Sequence, residues 1–278
     1  MTGGPQTVEE IYRTSAESVR ARHSPESARD AYRRYVDFVS RWLPPGSRIL
    51  DLGCGTGWSS SLLGERGYRV VGADLNARAF DAPRGPRLQY LAASMNRLPL
   101  RDGSLEGVCL HEALEHGTDP QAALGEMVRV LRPGGVAVVV GPNLLSPLQS
   151  LRAIFIYSRQ IRPRRRLFVR DAEMPRHPFG NTLPEIFGSF ASNLLLLGRK
   201  LASRDPSFTM RVPDSRPPFH SDNDASYVCN PVDLQRFFGR LGFEILATSP
   251  EGRPAWTALL AGGTWIAARK PGGGSSPR

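Results

Sequence analysis

Ile49-Leu50-Asp51-Leu52-Gly53-Cys54-Gly55-Thr56-Gly57 is the stretch that decides the fold of this 278-residue chain. Its apolar half predicts a short buried strand, and the residues from Trp58 to Gly64 predict the helix that follows. Glycine at every second position lets the chain reverse sharply and lets a ligand approach the backbone where a Cβ would stand in the way. The helix would then point its first N–H groups at that ligand. The stretch therefore predicts a nucleotide cradle.

A second apolar run, Tyr68-Arg69-Val70-Val71-Gly72-Ala73-Asp74, also ends in an acid. A carboxylate at the end of the neighbouring strand can accept both hydroxyls of a ribose. A Gly-x-Gly motif alone also opens dinucleotide-binding folds and ordinary tight turns. It is therefore the combination of the glycine turn with Asp74 that predicts a nucleoside site.

Composition limits the class of protein. The chain has 40% hydrophobic residues and a formal charge of +10, from 36 Lys and Arg against 26 Asp and Glu. This composition predicts a globular chain with a proper core, in one large domain or two small ones. The positive charge favours anionic partners such as nucleic acid, an acidic lipid surface or a phosphorylated substrate, and a solvated basic surface is the alternative.

Cysteine usage and the terminus indicate a compartment. Cys54, Cys109 and Cys229 lack paired metal-type spacing, so neither a disulfide framework nor a zinc site is expected. The first ten residues do not follow the pattern of a signal peptide, and no apolar run approaches the roughly 20 residues that span a bilayer. We therefore expect a cytoplasmic protein.

The remaining patterns predict alternating strands and helices. A helix with apolar residues at helical spacing is expected from Ser27 until Pro44 stops it. Two further helices are expected to begin at Asp119-Pro120 and at Asn230-Pro231, where a capping side chain precedes a proline. The other expected strands are 88–91, 105–110, 136–140, 243–247 and 264–268. This order predicts an α/β fold with a doubly wound sheet.

Five ordered motifs resemble the class I S-adenosylmethionine-dependent methyltransferases of the small-molecule type, such as the methyltransferase type 11 and ubiquinone-pathway O-methyltransferase families. The motifs are Asp51-Leu-Gly53-Cys-Gly55-Thr-Gly57, Asp74, Leu98 to Ser104, Glu112-Ala-Leu-Glu115-His116 and Val130 to Gly135. The resemblance covers residues 27–141 and 226–270. It implies a Rossmann-like, seven-stranded, mostly parallel sheet with an antiparallel last strand, and S-adenosyl-L-methionine as the cofactor.

The resemblance also implies a set of cofactor-binding residues. Asp51 and the glycine turn would hold the methionine part, Asp74 the ribose, and the backbone at His111 the amino end. Ser94 stands where the family often has an acid for the adenine amino group, and a hydroxyl accepts that hydrogen bond more weakly than a carboxylate. Met95 would pack on the adenine or in the core. The full set is Asp51, Gly53, Cys54, Gly55, Thr56, Gly57, Asp74, Leu75, Ser94, Met95 and His111.

Catalysis is expected from Glu112, Glu115 and His116. Their spacing would place all three side chains on one side of a helical turn. There they could bind Mg²⁺ or Mn²⁺, which would lower the pKa of a hydroxyl acceptor. A similar Glu-x-x-Glu-His occurs in small-RNA 2′-O-methyltransferases and in the ubiquinone-pathway enzymes. The alternative without metal is His116 as general base, since the ordinary pKa of histidine is about 6.5.

An insertion over residues 143–229 separates the fifth strand from the last helix. We expect two helical segments that form a lid over the acceptor, with Tyr32 and Tyr35 as further lid residues or as plain packing residues. Residues 1–26 and 271–278 are expected to be flexible, and residues 27–270 to form the methyltransferase domain.

The residues from Leu151 to Arg170 carry seven arginines and no acid. Arginine beside aliphatic residues favours an anionic membrane surface, and hence a lipophilic or lipid-linked acceptor. Nucleic acid is less favoured, because few aromatic stacking residues accompany the arginines. A soluble metabolite under an ordinary lid, and a scaffold that binds the cofactor without catalysis, remain alternatives. The oligomeric state is left open.

Overall fold

The computed structural model describes residues 25–76, 80–82, 84–152, 182–213, 225–249 and 251–272. Its strands are β1 (Arg48–Leu52), β2 (Arg69–Asp74), β3 (Leu88–Ala92), β4 (Leu105–His111), β5 (Leu131–Pro142), β6 (Glu244–Ala247) and β7 (Gly263–Arg269). They form one sheet in the order β3-β2-β1-β4-β5-β7-β6. The first five strands pair in parallel, whereas β7 is antiparallel to both β5 and β6. The predicted doubly wound, mostly parallel sheet is confirmed.

Helices cover both faces of the sheet. They are α1 (Pro25–Ser40), α2 (Trp58–Glu65), α3 (Pro120–Val130), α4 (Leu183–Ala202), α5 (Pro231–Arg240) and α6 (Ala255–Ala258). Alternate residues of β5 point to opposite faces, as the period of a strand requires. Val138 and Val140 join a core cluster with residues of α1, and Val139 joins a second cluster with residues of α3 and α5. The sheet is therefore buried on both sides, which explains its unbroken apolar runs.

Several bounds differ from those predicted, and one helix is additional. Helix α1 ends at Ser40, before the prolines, and a turn leads to Pro44. Strand β5 begins at Leu131, because Leu131 pairs with Leu105 across a register shift. The short helix α6 follows Pro254 and was not predicted. The predicted caps are confirmed: Asp119 accepts the N–H of Ala122 at 2.9 Å and Asn230 that of Asp233 at 3.0 Å.

Part of the insertion is helical where the structure describes it. Helix α4 agrees with the expected helical character of the insertion, and it begins with a reciprocal capping box between Thr182 and Glu185. Residues 147–152 are also helical, but the rest of the arginine-rich segment lies outside the described residues. Most of the predicted flexible termini lie outside them as well. Within the described ranges no helix is long and apolar enough to cross a bilayer.

A buried ion pair joins the insertion to the rest of the fold. Lys200 of α4 is 1% exposed, and its Nζ lies 2.7 Å from Oδ2 of Asp233 in α5. The same ammonium donates to the hydroxyl of Ser207 at 3.1 Å. Asp233 also accepts hydrogen bonds from Tyr227 and Asn230 at 3.1 and 2.8 Å. A buried charge is tolerated only when it is paired and hydrogen-bonded, and both charges meet that condition.

We predict that Lys200→Met lowers the free energy of unfolding by about 3–5 kcal/mol, because it leaves the Asp233 carboxylate buried without its counter-charge. The exposed pair between Arg240 and Asp205, which also involves α5, is the matched control. Arg240→Gln is expected to cost about 1 kcal/mol or less. Urea unfolding followed by circular dichroism measures both variants. Equal losses for the two would contradict the prediction.

Candidate cofactor and acceptor site

The glycine turn after β1 is fixed by backbone conformation and by close packing. Gly53, Gly55 and Gly57 have φ angles of +72°, +55° and +89°, which favour glycine. A Cβ on Gly53 would lie 2.4 Å from the Cβ of Ala113, and one on Gly57 would lie 2.4 Å from the hydroxyl of Tyr90. The turn therefore requires glycine because of its positive φ angles, and because a side chain would clash with Ala113 or Tyr90.

Asp74 at the end of β2 is tied to that turn. Its Oδ2 accepts the N–H of Gly55 at 2.8 Å, and its Oδ1 accepts the N–H of Asn76 at 3.0 Å. The residue is half-buried, and burial raises the pKa of its carboxyl. A carboxylate has about four lone-pair sites, so each oxygen can accept a further hydrogen bond. The adjoining Leu75 is half-buried as well.

Asp51 is 1% exposed and is surrounded by hydroxyl groups. Tyr35 of α1 donates to Oδ1 at 3.0 Å, whereas Ser59 and Ser60 of α2 each donate to Oδ2 at 2.6 Å. Burial raises the pKa of Asp51, and the three hydroxyls oppose that rise. Asp51 therefore joins β1 to two helices. Its contact with the methionine part of a cofactor stays a prediction.

His111 ends β4 beside two tyrosines of α1. Its ring centroid lies 4.6 Å from that of Tyr35 and 5.3 Å from that of Tyr32. Tyr35 is fully buried and takes part in the core, which favours packing over the lid role that was the alternative. Tyr32 is half-buried and stays a candidate lid residue.

The predicted cluster of Glu112, Glu115 and His116 does not form on one helical face. Glu112 is exposed and has a φ of 48°, and the following 3₁₀ turn contains only Leu114–His116. Glu115 is fully buried, with its Oε1 at 3.7 Å from Nε2 of His116. The expected single face is wrong, because the left-handed residue at the strand end turns Glu112 away from a continuous helix.

The structure thus separates the pair of Glu115 and His116 from Glu112. Across the described residues, no three His, Cys, Asp or Glu side chains come together as a metal site. The further ligands that a closed lid could supply, His177, or His220 with Asp222, lie outside the described residues. The described residues therefore provide no set of ligands for Mg²⁺ or Mn²⁺.

The other predicted cofactor residues lie in the turn after β1 and in the loop after β3. Cys54 is buried, and burial raises the pKa of its thiol well above its usual range. The carbonyl of Thr56 accepts two N–H groups from residues 81 and 82 at 2.9 and 3.0 Å. Ser94 accepts the N–H of Asn96 at 3.3 Å. Met95 packs against the main hydrophobic core, as its alternative interpretation expected.

Sequence reasoning missed the groups that hold the turn in place. The helical pattern predicts Ser59 and Ser60 only as the start of a helix, although hydroxyls in the first turn after a strand-ending acid are a usable signal. The sequence pattern predicts Tyr90 as part of a strand but not its contact with the turn. Its hydroxyl donates to the carbonyl of Gly57 at 3.1 Å. Its ring stacks on Phe80 with centroids 4.7 Å apart.

Comparison with known proteins gives consistent matches. Residues 50–139 match a family model described as a methyltransferase domain. The chain is 42% identical over 97 residues to a demethylmenaquinone methyltransferase of Beutenbergia cavernae, and 36% identical over 110 residues to one of Mycolicibacterium paratuberculosis. These matches cover 34% and 40% of this chain and 40% and 48% of the two relatives. The chain therefore matches less than half of each relative's length.

A solved structure shows the same fold. It belongs to a Listeria monocytogenes protein assigned to the S-adenosylmethionine dependent methyltransferases, with a TM-score of 0.53 and 17% identity. The alignment covers 86% of this chain and 99% of that one. The shared architecture thus extends well beyond residues 50–139.

Because its folded-state pKa is raised above the ordinary value of 3.8, Asp51 contributes stability that is present at low pH and lost as pH rises through that raised pKa. Asp51→Asn stays uncharged throughout. We therefore expect the wild type to lose stability relative to Asp51→Asn as pH rises above about 4. Urea unfolding at a series of pH values measures this shift. A difference that does not vary with pH would contradict it.

Proposed function

We propose that this chain, which contains a class I S-adenosylmethionine-dependent methyltransferase domain of the small-molecule type, transfers a methyl group to a small acceptor. The proposal rests on the hydrogen bond that joins the ends of β1 and β2. The glycine turn after β1 and the carboxylate after β2 are linked through the N–H of Gly55 and Oδ2 of Asp74. Ligands of open α/β sheets bind at such carboxyl ends.

The residues present fit the nucleoside part of S-adenosylmethionine. Asp74 is half-buried, is oriented by two backbone N–H groups and can accept two ribose hydroxyls. The positive-φ glycines form the sharp turn between β1 and α2 that a nucleotide cradle requires. His111 at the end of β4, two strand positions from β2, would meet the other end of the cofactor. When bound, the cofactor supplies an electrophilic methyl group on a sulfonium.

The protein's own contribution is to position the acceptor and to remove its proton. Methyl transfer is an in-line displacement, so an oriented lone pair on the acceptor is the main requirement. We assign His116 as the general base for a hydroxyl acceptor. Oε1 of Glu115 lies 3.7 Å from its Nε2, so a buried carboxylate adjoins the imidazole. Glu112 lies next to His111 at the strand end and is a second candidate in this role.

We infer a lipophilic or lipid-linked acceptor. The two relatives named above act, by their names, on demethylmenaquinone. The seven arginines between Leu151 and Arg170 favour an anionic surface as the place where such an acceptor is met. RNA is the alternative acceptor that uses the same arginines, and a scaffold without catalysis is the alternative of another class. The cytoplasmic side of a membrane is the location that fits this inference.

Calorimetry with S-adenosylhomocysteine tests the cofactor site. We expect the wild type to bind and Asp74→Ala to weaken binding by about tenfold or more, because a hydrogen bond to a charged group contributes about 1.5–3 kcal/mol. Asp30→Ala, an exposed acid on α1, is the control and should bind normally. No binding by the wild type would contradict the proposal.

Methyl transfer to a lipophilic phenol, used as a probe acceptor because it carries the hydroxyl that the proposed step needs, tests the base. His116→Gln is expected to lower kcat about 10²- to 10⁴-fold, the usual contribution of a general base, while S-adenosylhomocysteine binding is retained. The exposed Glu65→Gln is the control. Loss of activity in chelator with recovery in Mg²⁺ or Mn²⁺ would instead favour metal assistance. An unchanged kcat for His116→Gln would remove the base assignment.

A further inference from the structure

A cavity lies at the β6–β7 side of the sheet, several strands away from the glycine turn. Its volume is about 430 Å³, and it opens where β6 ends and β7 begins. The described residues that line it include three arginines from separate parts of the chain, Arg34, Arg152 and Arg253. Glu251 is the one acid among those lining residues, so guanidinium groups outnumber carboxylates there.

Two of the three arginines are held in place by their neighbours. Arg34 forms an ion pair with Glu251, and its guanidinium lies 5.8 Å from the ring centroid of Trp265. Nε of Arg253 lies 3.9 Å from the same carboxylate. One carboxylate thus orients two guanidinium groups and leaves a positive excess. Planar guanidinium groups suit phosphate oxygens, which they bind through paired N–H donors.

The same cavity has an apolar rim. Trp256 and Leu260 line it and are 65% and 42% exposed. The loop that carries them is anchored, because the side-chain amide of Asn143 donates to the carbonyls of Ala258 and Ala261 at 3.0 and 3.1 Å. Exposed tryptophan beside arginine is typical of residues at a membrane interface, where the ring sits at head-group level.

We propose that this cavity binds the phosphate head group of an anionic lipid. A free phosphate would satisfy the guanidinium groups but would leave the exposed Trp256 and Leu260 without a role, whereas an amphiphile matches both. The cavity lies at β7, three strand positions from β1, and strands are about 4.8 Å apart, so about 14 Å separate it from the cofactor turn. The inference does not depend on the proposed methyl transfer.

Vesicle binding tests the proposal with matched variants. Sedimentation with phosphatidylglycerol vesicles is compared with phosphatidylcholine vesicles for the wild type, Arg34→Gln, Arg253→Gln and Trp256→Ala. Arg29→Gln is the matched control, because Arg29 lies on the same helix, is 62% exposed against 65% for Arg34, and also pairs with a glutamate. Leu241→Ala is the control for Trp256, since Leu241 is exposed but does not line the cavity.

We expect binding to phosphatidylglycerol only, weakened about fivefold by each lost guanidinium and unchanged in the controls. The fluorescence of the wild type should shift to the blue on anionic vesicles, and Trp256→Phe should abolish the shift. Binding that is equal on both vesicles, or equally weakened by Arg29→Gln, would overturn the proposal. Tight binding of inorganic phosphate without vesicle binding would overturn it in favour of a free anion. S-adenosylhomocysteine binding is measured for every variant. If it is retained, a loss of vesicle binding is not caused by damage to the cofactor site.

Discussion

The buried carboxylate of Asp51 is the constraint on which the cofactor end of this molecule depends. A charge removed from water is costly unless hydrogen bonds replace its hydration, and three hydroxyls do so here. Those hydroxyls come from helices on either side of β1 in the chain, so one side chain fixes the approach of α1 and α2 together. The glycine turn lies between β1 and α2, and its position follows from that arrangement.

The turn after β4, where we propose that the acceptor binds, depends on a different residue, Glu115. Its carbonyl accepts the N–H groups of Ser226 and Tyr227 at 2.7 and 2.9 Å, so the chain returns from the insertion directly onto the turn after β4. Tyr227 continues into the buried network of Lys200 and Asp233. The insertion is thereby fastened at its end to the residues assigned to proton transfer.

Much of the fold could be predicted from the sequence because its signals are local. Apolar runs that end in glycine or an acid mark β1 and β2, and cap residues mark α3 and α5 within their first turn. The cluster of Glu112, Glu115 and His116 failed for a physical reason. Helical spacing places side chains together only where the backbone is helical, and a φ of 48° at Glu112 leaves that region. The periodicity of the sequence does not reveal that Glu112 has a positive φ.

The features that sequence could not predict are those that join distant parts of the chain. The cofactor turn is nearly contiguous, from Asp51 to Asp74, so a single pattern describes it. The arginine cavity joins Arg34, Arg152 and Arg253, which are more than a hundred residues apart. Composition gave only an excess of positive charge, which predicts an anionic partner without placing it. The fold supplies the placement, because antiparallel β7 brings its beginning to the edge of the sheet where β1 and β2 end. A cofactor site and a charged, apolar-rimmed cavity can therefore face the same side of one domain.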